Sequence, residues 1–353
     1  MNNIKIKTIQ RKIKQYYENN RRTLPWRVNI GEKQDPYKTL VSEMMLQQTR
    51  VKTVLTYYKN FLKEFPNIKA LALAKEDKVL KAWSGMGYYR RATNLHKTAK
   101  IILKDYNGNI PEEQKELITL PGIGFYTSSA ISSFAFGHDE IVIDTNVERF
   151  IRRVLNIDEK KSQLDISKSY AKIIFPKKDK GSFAQAIMDF SNQYCIKINP
   201  KCNVCFISRY CNFIYKKQVK NINVRKKIKF CTSYFILDKD YNFFVRKRKN
   251  SKILKGLYEI PSTSWQEEKD TETYLLNANK KDIIVLKKII KHEFSHFSLI
   301  SKIIIIKKKN IHNFNLQGKW VTKESLEKLP ISSLTRKIAN YSLEELSSLK
   351  EFL

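Results

Sequence analysis

Two acidic side chains stand where a carboxyl group could take part in acid–base chemistry. Glu43 precedes an apolar pair in a predicted long helix that begins at Pro36. Partial desolvation there would raise its pKa towards the range of a general acid, although an acid near a helix start can also complement the helix dipole. Asp144 follows an apolar run and opens another predicted helix. It could be an N-cap or could supply negative charge to a reaction centre.

Four cysteines form a second candidate centre. They are separated by six, two and five residues: Cys195, Cys202, Cys205 and Cys211. So dense a group indicates a reduced metal site rather than a disulfide framework. Four thiolates suit zinc or an iron–sulfur cluster on ligand type alone. A fifth cysteine, Cys231, lies in a predicted strand, and we expect it to be buried.

A glycine hairpin separates the two acids. The sequence Leu120–Gly124 (LPGIG) cannot continue a helix, and Gly122 and Gly124 permit a tight turn with exposed amides. A new helix is predicted from Tyr126 onwards. A helix, a hairpin and a helix N-terminus suit a phosphate group, although this motif alone is often only a loop.

These centres are positioned by two types of predicted structure. Helical spacing is present in the first segment, with Ile6, Ile9 and Ile13 on one face, and recurs up to about residue 215. Beyond the basic run 216–229, strand-like segments follow. The pattern predicts a mainly α part followed by an α+β part.

The charge balance indicates a polyanionic partner. The 353 residues contain 67 Lys and Arg against 34 Asp and Glu, which gives a formal net charge of +33. An AT-biased genome would inflate the lysine count, so part of the excess carries no functional weight. No apolar run of membrane-spanning length and no secretory signal are present. We therefore expect a cytoplasmic protein with no membrane partner.

Three stretches together resemble one family. Residues 117–153 (LITLPGIGFYTSSAISSFAFGHDEIVIDTNVERFIRR), residues 41–51 (VSEMMLQQTRV) and the cysteine spacing resemble the helix-hairpin-helix DNA glycosylases, and among them the adenine DNA glycosylases of the MutY family. The resemblance implies a helical 4Fe-4S subdomain (1–28 and 137–215), a helical subdomain with the hairpin (29–136), a basic linker (216–229) and a MutT-like domain (230–353).

The resemblance also assigns the chemistry. Glu43 would protonate adenine at N7, and Asp144 would stabilise the oxocarbenium-like sugar, as in glycoside hydrolysis. Tyr126 and Asn146 would orient these groups. Bifunctional relatives such as endonuclease III have a lysine where this chain has Tyr126, and a phenol cannot form a Schiff base. The sequence therefore predicts a monofunctional glycosylase.

Further residues would contact DNA or the extruded base. In the family, the LPWR turn lines the adenine pocket, a glutamine fills the vacated helix, a tyrosine intercalates, and the hairpin glycines grip phosphate; here these are Leu24, Trp26, Arg27, Gln47, Gln48, Tyr88, Gly122, Gly124 and Gln185, the last on the adenine edge. Without the family, Trp26 and Tyr88 could be core residues, and Gln48 and Gln185 could be solvated.

The C-terminal part resembles a MutT-like fold through GLYEIP (256–261), but no catalytic Nudix motif follows. Phe294, Ser295 and His296 match the family's loop that recognises 8-oxoguanine. His292 and His296 could otherwise be a metal pair, which a strand-rich setting disfavours.

The implied function is removal of adenine mispaired with 8-oxoguanine or guanine in double-stranded DNA, by a monomer that carries a 4Fe-4S cluster. The cluster would be structural and DNA-binding. Two other functions remain open on sequence. One is a bifunctional pyrimidine-lesion glycosylase, which Tyr126 disfavours. The other is a non-catalytic DNA-binding iron–sulfur protein, which the presence of both Glu43 and Asp144 disfavours.

Overall fold

The computed structural model describes residues 3–158, 160–162, 165–213, 226–249, 251, 253–268, 283–307 and 317–348. Two compact units share the chain: Met1–Leu73 with Asn94–Ile222, and Ala74–Thr93 with Asn223–Leu353. The predicted division of the helical part at residues 28 and 136 stays a prediction. Most of the predicted linker, residues 216–225, lies outside the described residues.

Helices make up the first unit and the segment that precedes the sheet. In chain order they are α1 (Asn3–Asn20), α2 (Pro36–Leu46), α3 (Val51–Glu64), α4 (Ile68–Leu73), α5 (Glu76–Ala82), α6 (Arg90–Asp105), α7 (Gln114–Leu117), α8 (Phe125–Phe136), α9 (Thr145–Leu155), α10 (Ala171–Ile174), which follows a π-helical turn at Ile166–Tyr170, and α11 (Lys180–Gln193). Two 3-10 turns follow at Cys202–Val204 and Ser208–Tyr210.

The core of the first unit is where α1, α9 and α11 pack. The apolar face predicted for α1 is confirmed, because Ile9 and Ile13 have no exposed surface. They belong to one cluster with Phe150 and Ile151 of α9 and Phe190 of α11. Burial of such aliphatic and aromatic side chains is the main source of stability for these helices. It also fixes the N-terminus of α9, where Asp144 lies.

The predicted long helix after Pro36 is wrong in one respect, because it is two helices. The chain leaves helical geometry after Leu46, and Gln48 adopts a left-handed conformation with φ +55°. A non-glycine residue in this region ends a helix. Glu43 consequently lies in the last turn of α2 and not near the start of a long helix. The alternative that it complements a helix N-terminus is excluded.

The second unit contains a mixed sheet. Its strands are β1 (Lys227–Leu237), β2 (Phe243–Lys247), β3 (Tyr258–Glu259), β4 (Ile283–Val285), β5 (Ile290–Glu293), β6 (Phe297–Lys307) and β7 (Lys319–Val321), followed by α12 (Lys323–Leu326) and α13 (Ser333–Ser348). The strand order is β3-β2-β1-β6-β4, with β5 also paired to β6 and β7 to β2. The central pair β1–β6 is parallel, from Lys227 opposite Phe297 to Leu237 opposite Lys307, and the other pairs are antiparallel.

The sheet agrees with the strand-like sequence segments apart from two details. Strand β1 begins at Lys227, so the last residues of the predicted linker are part of the sheet. The apolar segment 283–294 forms two strands, β4 and β5, and Leu286, which lies between them, is buried and donates its backbone amide to the Ile303 carbonyl of β6. Cys231 is buried in β1, as expected. None of the described helices combines the length and apolar composition that crossing a lipid bilayer requires.

Candidate active site

Glu43 and Tyr126 form the buried centre of the site. The last turn of α2 carries Glu43, whose surface is only 5% exposed. Tyr126, the second residue of α8, donates its hydroxyl hydrogen to Glu43 Oε2 at 2.9 Å. Since α2 and α8 pack directly against each other, this contact is part of the helical scaffold.

Asp144 is both a helix cap and a charge near Glu43. Its Oδ1 accepts hydrogen bonds from the backbone amides of Asn146 at 2.9 Å and Val147 at 2.7 Å. The Asn146 side chain donates to Oδ2 at 2.7 Å. Asp144 also repels a negative charge on Glu43 strongly enough to raise the Glu43 pKa. The N-cap alternative is therefore correct, and it does not exclude the electrostatic one.

The pKa values differ from those of exposed side chains. Burial raises the pKa of Glu43 to about 7, and the hydrogen bond from Tyr126 opposes this rise. Burial also raises the pKa of Asp144, opposed by the hydrogen bonds from Val147 and Asn146. Burial raises the pKa of Tyr126 well above 10. A buried carboxyl group with a pKa near 7, close enough to a second carboxyl group to feel its charge, is the arrangement of a general acid and a charge-stabilising partner.

The LPWR turn lies in the same unit and interacts with Glu43 through its arginine. Leu24 and Trp26 are buried, and the Trp26 ring packs edge-on against Tyr58 with centroids 5.2 Å apart. This is a core contact, so the role of Trp26 as a wall of a base pocket stays a prediction. The positive charge of Arg27 lowers the pKa of Glu43, which connects this turn electrostatically to the acid.

Gln185 is not a solvated glutamine. Its side chain is buried on α11, and its Oε1 accepts a hydrogen bond from the Tyr17 hydroxyl at 2.8 Å. The solvated alternative is wrong for this residue, because α1 packs over this face of α11. Its amide group keeps two N–H donors that could contact a base.

The glycine hairpin has the geometry that its sequence predicts. Gly122 has φ +79°, and a Cβ there would lie 2.7 Å from Asn94 Nδ2, so only glycine fits. Gly124 is the N-cap of α8 and accepts the first helical hydrogen bond from Ser128. Gln47 donates to the Gly122 carbonyl and to Thr127 Oγ1, both at 3.1 Å. Gln47 therefore stabilises the hairpin through these hydrogen bonds. Gln48, the next residue, adopts the left-handed conformation described above.

In the second unit, the predicted intercalating residue touches the predicted lesion loop. Tyr88 is 43% exposed in a left-handed conformation with φ +48°. Its hydroxyl shares a 2.5 Å hydrogen bond with Ser295 Oγ. Phe294 stacks on Phe297, whereas His296 is exposed. The neighbouring Tyr89 is buried.

The four cysteines of the first unit line one open cavity, together with apolar residues that include Phe150, Phe190 and Ile207. Within the described ranges, no three Cys, His, Asp or Glu side chains converge on one ion position. Arg153 donates to Cys195 Sγ at 3.4 Å. Burial raises the pKa of Cys211 to about 11, with a further rise from the neighbouring cysteines. Positive charge from a bound group would relieve this mutual repulsion.

Two residues that the sequence analysis missed join these centres. Arg149 donates to the Asn146 side chain at 2.8 Å and to the Cys195 carbonyl at 2.8 Å. It thereby bridges the Asp144 cap and the first cysteine. Asp189 binds Arg22 and Arg27 from the buried face of α11. The (i, i+4) spacing of Gln185 and Asp189 could have indicated their shared face, but their partners lie over 160 residues earlier.

Comparisons with known proteins match a family to the helical part of the chain and another to the C-terminal part. Residues 41–176 match the HhH-GPD superfamily of base excision DNA repair proteins, and residues 232–341 match the NUDIX domain. An adenine DNA glycosylase from Buchnera aphidicola subsp. Baizongia pistaciae is 36% identical over 340 residues, which span 93% of this chain and 95% of that relative. One from Buchnera aphidicola subsp. Acyrthosiphon pisum is 36% identical over 308 residues, 85% of this chain and 86% of that relative.

A solved structure agrees with the helical unit. A thermostable thymine-DNA glycosylase is 27% identical with a TM-score of 0.55, over 60% of this chain and 97% of that one. It supports a helical glycosylase fold for the first unit. Similarity almost from end to end with curated relatives covers the NUDIX-like part as well, so the chain belongs to the adenine DNA glycosylase family, within the helix-hairpin-helix superfamily.

Proposed function

We propose that this chain removes adenine from double-stranded DNA where adenine is paired with 8-oxoguanine or guanine. The reaction is a monofunctional hydrolysis of the N-glycosidic bond after the adenine has been flipped out of the helix. The observation that carries the proposal is the buried Glu43 carboxyl group, which is hydrogen-bonded to Tyr126 and electrostatically coupled to Asp144.

Glu43 is the general acid. A pKa of about 7 keeps a large fraction of the carboxyl group protonated at neutral pH, and the acid remains strong enough to donate. Its proton passes to adenine N7, and the electrons of the C1′–N9 bond go to the departing base. Tyr126 and Asp144 set the proton affinity of Glu43 in opposite directions.

Asp144 stabilises the positive charge that develops on the sugar. Three hydrogen bonds at the start of α9 hold its carboxylate in a fixed orientation. A preorganised charge of this kind does not need to reorient during the reaction. Water then adds to C1′, releases a proton and leaves an abasic site.

Strand cleavage is not part of the proposed reaction. The position at which bifunctional relatives have a lysine is Tyr126, whose hydroxyl donates to Glu43. Burial keeps its pKa well above 10, so the phenol stays neutral. It has no amine with which to attack the sugar.

DNA binding rests on the net charge of +33 and on the hairpin. Gly122, Gly124 and the first amides of α8 form a cradle for a phosphate group. Gln48 fills the space that the adenine vacates, and Tyr88 intercalates on the opposite strand. The left-handed conformations of Gln48 and Tyr88 support these roles, since such backbone geometry often occurs at functional sites.

Recognition of the opposite base belongs to Phe294, Ser295 and His296. The Ser295 hydroxyl and the exposed His296 ring can both hydrogen-bond to a purine edge. The contact between Tyr88 and Ser295 supports a shared task on the same strand. The protein acts as a monomer in the cytoplasm, bound to the DNA of the nucleoid.

Cys195, Cys202, Cys205 and Cys211 would hold a 4Fe-4S cluster. Each thiolate binds a separate iron atom in such a cluster, so the sulfurs can line a cavity without converging on one ion. A single tetrahedral zinc would require convergence. When bound, the cluster would fix the loop that carries the cysteines, and through Arg149 it would support Asn146 and Asp144.

The test uses a duplex with one A:8-oxoguanine pair, and matched A:G and A:T duplexes. We expect adenine release at rates that fall in the order A:8-oxoguanine, A:G, A:T. The DNA strand should break only after alkali treatment. Breakage without alkali, together with a borohydride-trapped adduct, would instead favour a bifunctional enzyme. Binding without any base release would indicate a non-catalytic DNA-binding protein.

A further inference from the structure

Asp189 is a buried carboxylate that none of the proposed catalytic roles uses. Its surface is 2% exposed. It accepts four hydrogen bonds: from the Arg22 backbone amide at 3.1 Å, Arg22 Nε at 2.6 Å, Arg27 Nη1 at 2.6 Å and Arg27 Nη2 at 3.2 Å. Both of its oxygens therefore bind both arginine residues.

A pair of this kind is a weak source of stability. Two charges lose their hydration when they are buried, and a well-packed apolar substitute often stabilises a fold as well or better. The Arg27 side chain is 8% exposed and that of Asp189 1% exposed, so the cost of desolvation applies to both. A role in geometry or charge accounts better for such an arrangement.

The first role of Asp189 is geometric and concerns the position of the segment between Tyr17 and Arg27. Gln185 lies one turn before Asp189 on the same face of α11, and its Oε1 accepts a hydrogen bond from the Tyr17 hydroxyl at 2.8 Å. Asp189 binds the other end of the segment, including its backbone at Arg22. Trp26 lies between these anchors, in a turn closed by the hydrogen bond from the Arg27 amide to the Leu24 carbonyl at 2.9 Å. Two side chains of α11 thus fix the segment that supplies the LPWR turn.

The second role of Asp189 concerns the electrostatic environment of Glu43, the proposed general acid. The titratable and charged groups that act on Glu43 are Tyr126 from α8, Asp144 at the start of α9 and Arg27 from the LPWR turn. Among them, Arg27 favours the ionised form of Glu43, which cannot donate a proton. Asp189 binds two nitrogens of the same guanidinium group. The Asp189 carboxylate therefore pairs with the guanidinium group that favours the ionised form of Glu43.

We propose that Asp189 is a positioning residue for adenine excision: it holds Arg22 and Arg27 against α11, fixes the turn with Trp26, and offsets the charge with which Arg27 acts on Glu43. The inference rests on the proposed function, since it assigns this turn to the adenine pocket. It predicts two separable effects, one on the geometry of the pocket and one on the protonation of Glu43.

Two substitutions separate these effects. Asp189→Asn keeps the size of the side chain and removes its charge. Asp189→Glu keeps the charge and displaces the carboxylate by one methylene. We expect both to lower the single-turnover rate on an A:8-oxoguanine duplex at least tenfold at pH 7.5. Only Asp189→Asn should also move the alkaline limb of the pH–rate profile to lower pH, by half a unit or more.

The matched control is Glu148→Gln, which breaks the Glu148–Arg152 pair of α9, with 2.6 Å between Oε1 and Nη2. This pair is partly exposed, and Arg152 makes its other hydrogen bonds to the carbonyls of Asp158 and Lys161, away from the LPWR turn and Glu43. We expect Glu148→Gln to have the same single-turnover rate and the same pH–rate profile as the wild type. Thermal unfolding of every variant identifies general loss of structure. If Asp189→Asn does not fold, Asp189→Glu decides the geometric part, and a wild-type rate in that variant overturns the proposal.

A measurement without DNA distinguishes this proposal from the proposed function. The titration of the Glu43 carboxyl carbon, assigned by its absence in Glu43→Gln, can be followed by carbon-13 NMR. A shift to lower pH in Asp189→Asn supports the charge effect even if the wild-type protein released no adenine, which would refute only the proposed function. An unshifted titration combined with a wild-type rate in Asp189→Asn would overturn the inference.

Discussion

Removal of the Tyr126 hydroxyl tests how the acid is tuned. The substitution Tyr126→Phe keeps the ring and deletes the donor of the 2.9 Å hydrogen bond to Glu43 Oε2. This bond favours the carboxylate and so lowers the Glu43 pKa, which burial has raised to about 7. Loss of the donor should therefore raise the pKa further.

The size of the shift follows from the strength of such bonds. A hydrogen bond to a charged group contributes about 1.5–3 kcal/mol, and one pKa unit corresponds to about 1.4 kcal/mol. The Glu43 pKa should thus rise by roughly one to two units in the variant. At pH 8, about a tenth of the wild-type Glu43 would be protonated, against half or more in the variant.

The assay is single-turnover adenine release from an A:8-oxoguanine duplex between pH 5 and pH 10. The wild-type rate should fall above pH 7, because only protonated Glu43 can donate. In Tyr126→Phe this fall should begin one to two pH units higher, whatever the change in the maximal rate. The position of the limb is the readout, since a lost contact elsewhere in the pocket would alter only the height of the profile.

Tyr37→Phe is the matched control. Tyr37 is also buried, and its hydroxyl donates to the Phe65 carbonyl at 2.6 Å, a partner that does not titrate. Its profile should match the wild type. An alkaline limb in Tyr126→Phe that stays in place or moves to lower pH would refute the account of Glu43 given above.

Three further predictions address stability, coupling and lesion recognition. Since the folded-state pKa of Glu43 is raised from 4.5 to about 7, its contribution to stability is fully present below pH 4.5 and is lost as the pH rises through 7. Glu43→Gln should therefore gain roughly 3 kcal/mol relative to the wild type at pH 8, a gain that vanishes near pH 4 in denaturant unfolding. Arg149→Met, which removes the donors to Asn146 and Cys195, should lower the excision rate by about tenfold with unchanged iron content. Arg11→Met serves as an exposed control, and loss of iron in Arg149→Met would contradict its role as a connector. Ser295→Ala and Tyr88→Phe should each reduce the preference for A:8-oxoguanine over A:G, and the double variant should lose no more than the larger single effect, because the two hydroxyls share one hydrogen bond. Additive losses would show independent roles.

The features predictable from sequence are those governed by neighbours along the chain. The apolar face of α1, the hairpin at Gly122 and the cap at Asp144 each depend on residues within a few positions. The helix break at Gln48 was missed because the apolar spacing continues across it. A left-handed backbone conformation at a glutamine is not favoured locally, so contacts elsewhere in the unit must impose it.

The protonation of Glu43, in contrast, depends on residues that are distant from it in sequence. Its carboxyl group belongs to α2, whereas Tyr126, Asp144 and Arg27 come from three other segments, and Arg27 is itself held by Asp189 from a fifth. Each of these residues taken alone has an ordinary explanation as a cap, a core aromatic or an ion pair. Their common effect arises only because burial reduces solvent screening, so that charges distant in sequence act on one proton. For this reason a variant at Asp189, outside the expected catalytic set, should change the pH profile of Glu43, whereas a variant of the less deeply buried Glu148–Arg152 pair should not.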